Sequence, residues 1–295
     1  MSATTEKVVL LGERKSIVAI ATQPMVAPPS GTPAVVILNS GIIHRVGHNR
    51  MYVTLSRELA ALGHTVLRVD LSGIGDSEPR SDILDPLAAS LADIKDAIDW
   101  LDSVRGARRV ILLGLCSGAN QSVVYAGDDP RVVGLVLLDP FIPRTPRFYF
   151  NFFGSRLVRR DYWKKFLLGR ASLVKFFRKL LRKTAPQDPV VPNLWPDEAA
   201  LRPYVENAYR RAIQTRTQLL AVFTAGVDDQ HNYRRQLLDA MPNVPFGSQL
   251  RLEYFDGCDH TFTLAADRRR LFDTVEGWLR TTSFVAAEDP PPSGA

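Results

Sequence analysis

The feature that most constrains the fold is the alternation of short apolar runs with segments of helical spacing. Runs such as 34–39 and 109–115 are rich in Val, Ile and Leu, as strands buried on both faces are. Between them, residues 50–62 have helical spacing and end at Gly63, a favourable residue after a helix. Such alternation is typical of a mostly parallel α/β sheet with helices on both faces. The predicted strands are 7–11, 16–22, 34–39, 65–70, 109–115, 132–138, 219–224 and 250–255.

The alternation stops between residues 141 and 216, where the chain is rich in aromatic and basic residues. Because strand–helix alternation resumes afterwards, this stretch is predicted to be a helical lid inserted after strand 6. We therefore expect a core of residues 1–140 and 217–285, with a disordered tail over 286–295. The basic amphipathic segment 174–182 could touch an anionic membrane, but docking on the protein's own core is favoured.

Charge and cysteine content limit the function classes. The net charge of +6 is concentrated between residues 144 and 183, and no nucleic-acid-binding motif is visible. Two cysteines do not make a disulfide framework, and neither a signal peptide nor a membrane span is evident, so a cytoplasmic location is expected. No histidine group has a carboxylate at metal-ligand spacing, so we expect no metal and no cofactor. The oligomeric state stays open.

The strongest motif is Gly114-Leu115-Cys116-Ser117-Gly118, between the strand at 109–115 and a helix predicted over 117–125. The pattern Gly-x-nucleophile-x-Gly is that of a nucleophile elbow, with Cys116 in the central position. The nucleophile occupies a tight strained turn at a helix N-terminus, where a thiolate is favoured, and side chains two residues away would collide. A phosphate-binding turn or a buried core cysteine is the alternative. Ser117 is a weaker nucleophile candidate, because Leu115 would then stand where glycine is needed.

The base and acid are expected after later strands. His260 is the one histidine after the last predicted strand, which makes it the candidate general base, and His231 is a weaker candidate. The acid is expected after the strand at 219–224, where Asp228 and Asp229 are close alternatives. Asp228 is favoured because Ala225, three residues before it, suits the end of that strand.

The loop after the strand at 34–39 is expected to complete the site. The amides of Ile42 and Ser117 are the candidate oxyanion-hole donors. His44, Arg45 and His48 would line the same mouth and bind a substrate carboxylate or phosphate. A structural role, with Arg45 tying down the lid, is an equal alternative.

With these motifs the chain resembles the α/β-hydrolase superfamily over nearly its whole length. The resemblance also rests on Ser40-Gly41, the Gly-x-Gly-Asp-Ser turn within 70–77, the Asp228 loop and Asp259-His260. More narrowly, residues 45–50 and 115–119 resemble bacterial exosortase-associated hydrolases, which are grouped with serine aminopeptidase-like hydrolases. A cysteine at the elbow resembles dienelactone hydrolase, with its Cys-Asp-His triad.

These observations predict an esterase- or thioesterase-like hydrolase that cleaves a carboxylic ester, thioester, lactone or related acyl bond of a small molecule. Cys116, His260 and Asp228 would form the triad, and an acyl-enzyme the intermediate. An acyltransferase or cyclase with the same triad is the first alternative. A non-catalytic ligand-binding protein of the same fold and a redox sensor using Cys116 with Cys258 are the others.

Overall fold

The computed structural model describes residues 4–158, 198–227 and 230–284. Asp228, Asp229, most of the predicted lid and the predicted tail lie outside these residues. The strands are β1 (Thr4–Leu11), β2 (Ile17–Pro24), β3 (Ala34–Ile37), β4 (Val66–Val69), β5 (Val110–Leu115), β6 (Val132–Leu138), β7 (Gln218–Thr224) and β8 (Leu250–Phe255). The α-helices are α1 (Met51–Ala61), α2 (Pro86–Arg105), α3 (Ser117–Ala126), α4 (Pro146–Val158), α5 (Glu198–Gln214), α6 (Gln236–Ala240) and α7 (Ala265–Thr281).

The eight strands form one sheet in the order β1-β2-β4-β3-β5-β6-β7-β8. The pairs β1–β2 and β2–β4 are antiparallel, and every other pair is parallel. The chain goes from β3 to β4 on one side and then crosses to β5 on the other side of β3. In sheets with such a reversal, ligands usually bind beyond the carboxyl ends of the strands on either side of it, here β3 and β5.

Local sequence explains where the main helices begin and end. Helix α2 starts after Asp85, whose carboxylate accepts hydrogen bonds from the Leu87 and Ala88 amides, and Pro86 occupies its first position. It ends at Gly106, which has a left-handed backbone with φ 64°. The two orphan amides at the N-terminus therefore have acceptors, and the chain turns at the C-terminus without a side-chain clash.

Both faces of the sheet are buried, as the apolar strands predict. Helices α1 and α7 pack on one face through residues such as Leu55 and Val275, and strand residue Ile37 belongs to the same cluster. Helices α2, α3 and α5 cover the other face, where Val36 of the same strand points. Adjacent strand residues point to opposite faces, so a parallel strand needs apolar side chains throughout.

The predicted eight-stranded, mostly parallel sheet is confirmed, with shifts of a few residues in most of the strand limits. The lid remains a prediction. Helix α4 follows β6 and α5 precedes β7, so the described ends of the predicted lid are both helical. Within the described part of the chain, no helix combines the length and apolar character needed to cross a membrane.

Candidate active site

The elbow between β5 and α3 has the geometry that its sequence predicts. Cys116 has φ 56° and ψ −113°, a left-handed conformation that non-glycine residues rarely adopt. A Cβ on Gly114 would lie 2.3 Å from the Gly118 carbonyl carbon, and one on Gly118 would lie 2.4 Å from the Asn39 oxygen. Both glycines are therefore required by close backbone approach. The Cys116 side chain stands at the first turn of α3, beyond the carboxyl end of β5.

His260 lies beside Cys116. It follows β8, and its ring hydrogen-bonds the Cys116 sulfur. Its Nδ1 lies 2.7 Å from Oδ2 of Asp139, the residue directly after β6. Three elements that are far apart in sequence thus bring a thiol, an imidazole and a carboxylate into one hydrogen-bonded row.

Asp139 is fully buried and accepts hydrogen bonds at both carboxylate oxygens. Oδ1 accepts from the Thr224 amide at 2.6 Å, and His231 Nε2 lies 3.1 Å from the same oxygen. Oδ2 accepts from the Thr224 hydroxyl at 2.7 Å and faces His260. Asp139 itself has φ 43°, a second strained backbone at the site. Buried carboxylates need such partners, and these hold the Asp139 side chain in one orientation.

The electrostatics follow from this arrangement. Burial acts to raise the pKa of Asp139, but hydrogen bonds from His231, His260 and Thr224 outweigh it and lower the pKa. The hydrogen bond to Asp139, and then the one to Cys116, raise the pKa of His260 to about 10. His260 is therefore an imidazolium at neutral pH, positioned between two groups that favour its positive charge.

Asp139 occupies the position that the sequence analysis assigned to Asp228. Asp228 and its alternative Asp229 lie outside the described residues, and the carboxylate on His260 Nδ1 is that of Asp139. The backbone of the loop after β7 also lies beside His260, since a Cβ on Gly226 would lie 2.5 Å from the backbone nitrogen of His260. The loops after β6 and β7 both end beside His260, and strand spacing alone does not tell which one supplies the acid.

The loop after β3 meets the elbow at Ser117. The Gly41 amide donates to the Ser117 hydroxyl at 2.7 Å, which ties the loop to the first turn of α3. This brings the segment carrying the Ile42 amide, a predicted oxyanion donor, next to the elbow. The Ser117 amide belongs to the first helical turn, where amides have no intrahelical acceptor. The Ile42 side chain is exposed.

The guanidinium of Arg45 is engaged by two carboxylates, and its predicted role in substrate binding stays a prediction. Its guanidinium pairs with the buried Asp70 and with Asp76, both in the loop after β4. Its amide donates to Asp70 as well. Arg45 thus ties the loop after β3 to the loop after β4, whereas the lid that the structural alternative assigned to it lies mostly outside the described residues. The ion-pair partner lies 25 residues away in sequence, and no local pattern identifies it.

The two histidines of the same loop differ. His48 is half-buried and close to His260: burial, and then the charge of His260, lower its pKa, so it is neutral at neutral pH. Its neighbour Asn49 donates to the Thr261 carbonyl at 3.3 Å, which joins this loop to the His260 loop. His44 is exposed, and its predicted role in substrate binding stays a prediction.

Comparison with known proteins decides the family. Residues 35–274 match the sequence pattern of the Alpha/beta hydrolase family. The chain belongs to the α/β-hydrolase family. Solved structures with the same fold include an alpha-beta serine hydrolase homologue from Coxiella burnetii, with TM-score 0.56, 14% identity and coverage of 95% and 97% of the two chains. The esterase Est1E from Butyrivibrio proteoclasticus has TM-score 0.54 and 14% identity over 93% and 97%.

Two further comparisons are with a protein named as a dienelactone hydrolase and one named as a polyketide transferase. A structure named as a dienelactone hydrolase from Klebsiella pneumoniae has TM-score 0.57 and 13% identity, covering 95% of this chain and all of that one (100%). The curated relative, polyketide transferase grgF of a Penicillium species, is 33% identical over 87 residues. That match spans 28% of this chain and 29% of the relative's own length.

Two features of this α/β-hydrolase site were missed by sequence reasoning. Asp139 directly follows the apolar strand at 132–138, so its place at the carboxyl edge of the sheet was a usable signal. His231 was considered as a base but not as a partner of the acid.

Cys258 is buried, and burial followed by the charge of Asp267 raises its pKa to about 12, so it is a neutral thiol at neutral pH.

Proposed function

We propose that this α/β-hydrolase is a cysteine-dependent enzyme that cleaves an ester, thioester or lactone of a small molecule through an acyl-enzyme. The observation that carries the proposal is the row Cys116–His260–Asp139 at a strained elbow. Asp139 takes the role of acid, in place of Asp228. Cys116, beside the His260 imidazolium, is the nucleophile and attacks as a thiolate.

The proposed steps use only groups of this site. The Cys116 thiolate attacks the carbonyl carbon, and the resulting oxyanion accepts hydrogen bonds from the Ile42 and Ser117 amides. His260 gives its proton to the leaving alcohol or thiol as the carbonyl re-forms, which leaves a thioester on Cys116. Neutral His260 then takes a proton from water, the hydroxide attacks the thioester, and the acid product leaves with the thiolate restored. Asp139 keeps the His260 proton on Nδ1 and stabilises the imidazolium.

A cysteine nucleophile favours activated acyl groups. A thiolate is a good leaving group, so attack on an unactivated amide or alkyl ester returns to substrate more readily than it goes forward. Thioesters and aryl esters have leaving groups that compete with the thiolate, and a lactone does so where its leaving oxygen is enolic or phenolic. The narrower likeness to exosortase-associated hydrolases, the helical lid over residues 141–216 and a small-molecule acyl substrate belong to the same proposal.

Acyl transfer is the second candidate. The 33% identity over 87 residues to a polyketide transferase favours it, because the same acyl-enzyme would pass its acyl group to an alcohol or amine instead of water. The triad, oxyanion donors and first step are shared, so the two functions separate only at the second step.

The test is intact-mass analysis after brief exposure to p-nitrophenyl esters and to an acyl thioester. We expect wild type to gain one acyl group and Cys116→Ala to gain none, with slow labelling of His260→Ala. Cys258→Ala is the matched control, since it removes the only other cysteine of the chain and should label as wild type does. An adduct that persists in Cys116→Ala would refute the nucleophile, and no adduct in wild type would favour a ligand-binding protein. Adding an alcohol or amine and analysing products separates hydrolysis from transfer.

A further inference from the structure

Two histidines share the Asp139 carboxylate, and only one of them faces Cys116. His260 Nδ1 lies 2.7 Å from Oδ2, and His231 Nε2 lies 3.1 Å from Oδ1. The two rings approach the carboxylate from different loops, after β8 and after β7. The proposed mechanism uses His260 and leaves His231 without a task.

The surroundings of His231 define its protonation form. The ring is buried, and its Nδ1 has no hydrogen-bond partner among the described residues. A buried N–H without an acceptor is unfavourable, whereas Asp139 can accept from Nε2. His231 therefore carries its proton on Nε2 and donates it to the carboxylate. The ring packs edge-to-face on Phe223, with centroids 4.8 Å apart, and against Tyr254 at 6.2 Å.

The backbone around His231 is held on both sides. Its amide donates to the Val227 carbonyl at 3.0 Å. The buried Gln236 side chain bonds the Gln230 carbonyl and the Asn232 amide, each at 3.0 Å. The Asn232 side chain in turn donates to the Phe148 carbonyl of α4 at 3.0 Å. These bonds hold the backbone that carries His231 in one place.

We propose that His231 is a positioning residue that fixes the orientation of Asp139 and withdraws part of its negative charge from His260. The proposal rests on the proposed function, because it assigns a role within the same triad. The hydrogen bond to Oδ1 opposes rotation of the carboxylate away from His260. It also stabilises the anion, so Asp139 attracts the imidazolium proton less strongly than it would alone.

A consequence is that His231 sets how readily His260 gives up its proton. Among the described residues, the titratable groups near His260 are Cys116 from the elbow, Asp139 after β6, His48 from the β3 loop, and Cys258 with Asp259 in the loop of His260 itself. Of these, His231 hydrogen-bonds Asp139 alone. Removal of its hydrogen bond should therefore raise the pKa of His260, while the other charges stay as they are.

The test uses substitutions of His231 that separate the loss of its hydrogen bond from the loss of its ring packing. His231→Gln places an amide N–H where Nε2 lies but lacks the ring. His231→Phe keeps the edge-to-face contact with Phe223 but has no donor, and His231→Leu is a second apolar variant should the phenylalanine variant not fold. NMR titration of ¹⁵N-histidine-labelled protein follows His260, and the chain has only five histidines to assign. The pH dependence of Cys116 alkylation by iodoacetamide provides an independent second readout.

We expect the His260 midpoint, about 10 in wild type, to rise by about half a pH unit or more in His231→Phe or His231→Leu. His231→Gln should stay near wild type. The proposal would be overturned by any of three results: a shift in the glutamine variant alone, equal shifts in all variants, or no shift in the apolar variants. In each case the hydrogen bond of His231 would not set the pKa of His260, and His231 would have a packing role only. Neither readout needs a substrate. Failure of wild type to form an acyl adduct would count against the proposed function. It would not change the result for His231, which is read from the pH midpoint of His260.

Discussion

Asp139 organises the site through the hydrogen bonds that its buried carboxylate accepts. It accepts from Thr224, His231 and His260 while fully buried, and its backbone has φ 43°. The amide of Asp139 continues the β6–β7 ladder to the Val222 carbonyl at 2.9 Å, so the carboxylate is anchored to the sheet itself. A side chain held this way can orient His260 without moving during the reaction.

The first prediction concerns this acid. Asp139→Asn should lower the rate of acyl-adduct formation about a hundred- to ten-thousandfold, because an amide no longer holds the His260 tautomer or stabilises its charge. Asp228→Asn, the matched control for the acid expected from sequence, should leave the rate within about twofold of wild type. Stopped-flow measurement with a p-nitrophenyl ester checks both. The reverse ranking of the two variants would assign the acid to Asp228.

The second prediction concerns Ser117. Its hydroxyl accepts from the Gly41 amide, so Ser117→Ala should loosen the loop that carries the Ile42 amide. We expect kcat to fall about tenfold with little change in KM, since the oxyanion forms only in the transition state. Ser117→Thr, which keeps the hydroxyl, is the control. Loss of the Cys116 acyl adduct altogether in Ser117→Ala would mean that Ser117 does more than position this loop.

At the scale of elements, the elbow depends on how closely β3, β5 and α3 approach. The two elbow glycines lie within van der Waals distance of neighbouring backbone, and Gly118 touches the carbonyl at the end of β3. The same strand end carries Asn39, whose side chain donates to Asp70 and accepts from the Leu71 amide at 2.7 Å. The β3 and β4 loops and the elbow therefore form one connected support for Cys116.

Two glycine-to-alanine substitutions test the close approach of the elbow to the end of β3. Gly118→Ala should lower the free energy of unfolding by about 1–3 kcal/mol or more, because the new methyl group meets the Asn39 oxygen at 2.4 Å. Gly277→Ala in α7 is the matched substitution, with no atom within 4 Å of the new Cβ. It should be neutral or stabilise the protein by up to about 1 kcal/mol through helix propensity. Urea denaturation of both variants measures the difference, and equal effects would contradict the packing explanation.

Removal of Arg45 tests the ion pairs that join the loop after β3 to the loop after β4. Arg45→Ala should destabilise the protein by about 3–5 kcal/mol, because the buried Asp70 loses its charged partner. If the fold survives, KM should change little, since the guanidinium faces Asp70 and Asp76. Denaturation combined with steady-state kinetics checks this. A raised KM with unchanged stability would support the substrate-binding role instead.

For the whole molecule, His260 and Asp139 link stability to pH. The folded-state pKa of His260, about 10, lies above its ordinary value of 6.5, so its contribution is fully present below pH 6.5 and disappears as pH rises through 10. The pKa of Asp139 is lowered from 3.8, so its contribution is present above that pH and disappears on acidification. The site therefore favours the folded state most between these limits.

This linkage predicts a difference between wild type and His260→Asn. The free energy of unfolding of wild type, relative to that of the variant, should decrease steadily from pH 6.5 to pH 10. Urea denaturation at intervals across this range measures it, with His44→Asn, an exposed histidine, as the control. A constant difference across the range would show that His260 is not protonated in the folded state.

Most of the fold was readable from sequence for a physical reason. Strands buried on both faces must be apolar throughout, so runs such as β5 and β6 are conspicuous, and the helices between them require a parallel sheet. The elbow was readable as well, because the backbone approach at Gly114 and Gly118 admits only glycine. His260 could be placed because the chain offers few histidines and one follows the last strand.

The sequence by itself thus determined the parallel sheet, the strained turn at Cys116 and the loop that carries His260, since each depends on local composition and spacing. Only the tertiary structure decided which carboxylate meets His260, that His231 shares it, and that Arg45 pairs with Asp70. Several strands end at the same edge of the sheet, and each loop there carries polar groups within reach. Which of them meet depends on loop paths across tens of residues, and hydrophobic periodicity carries no information about those paths.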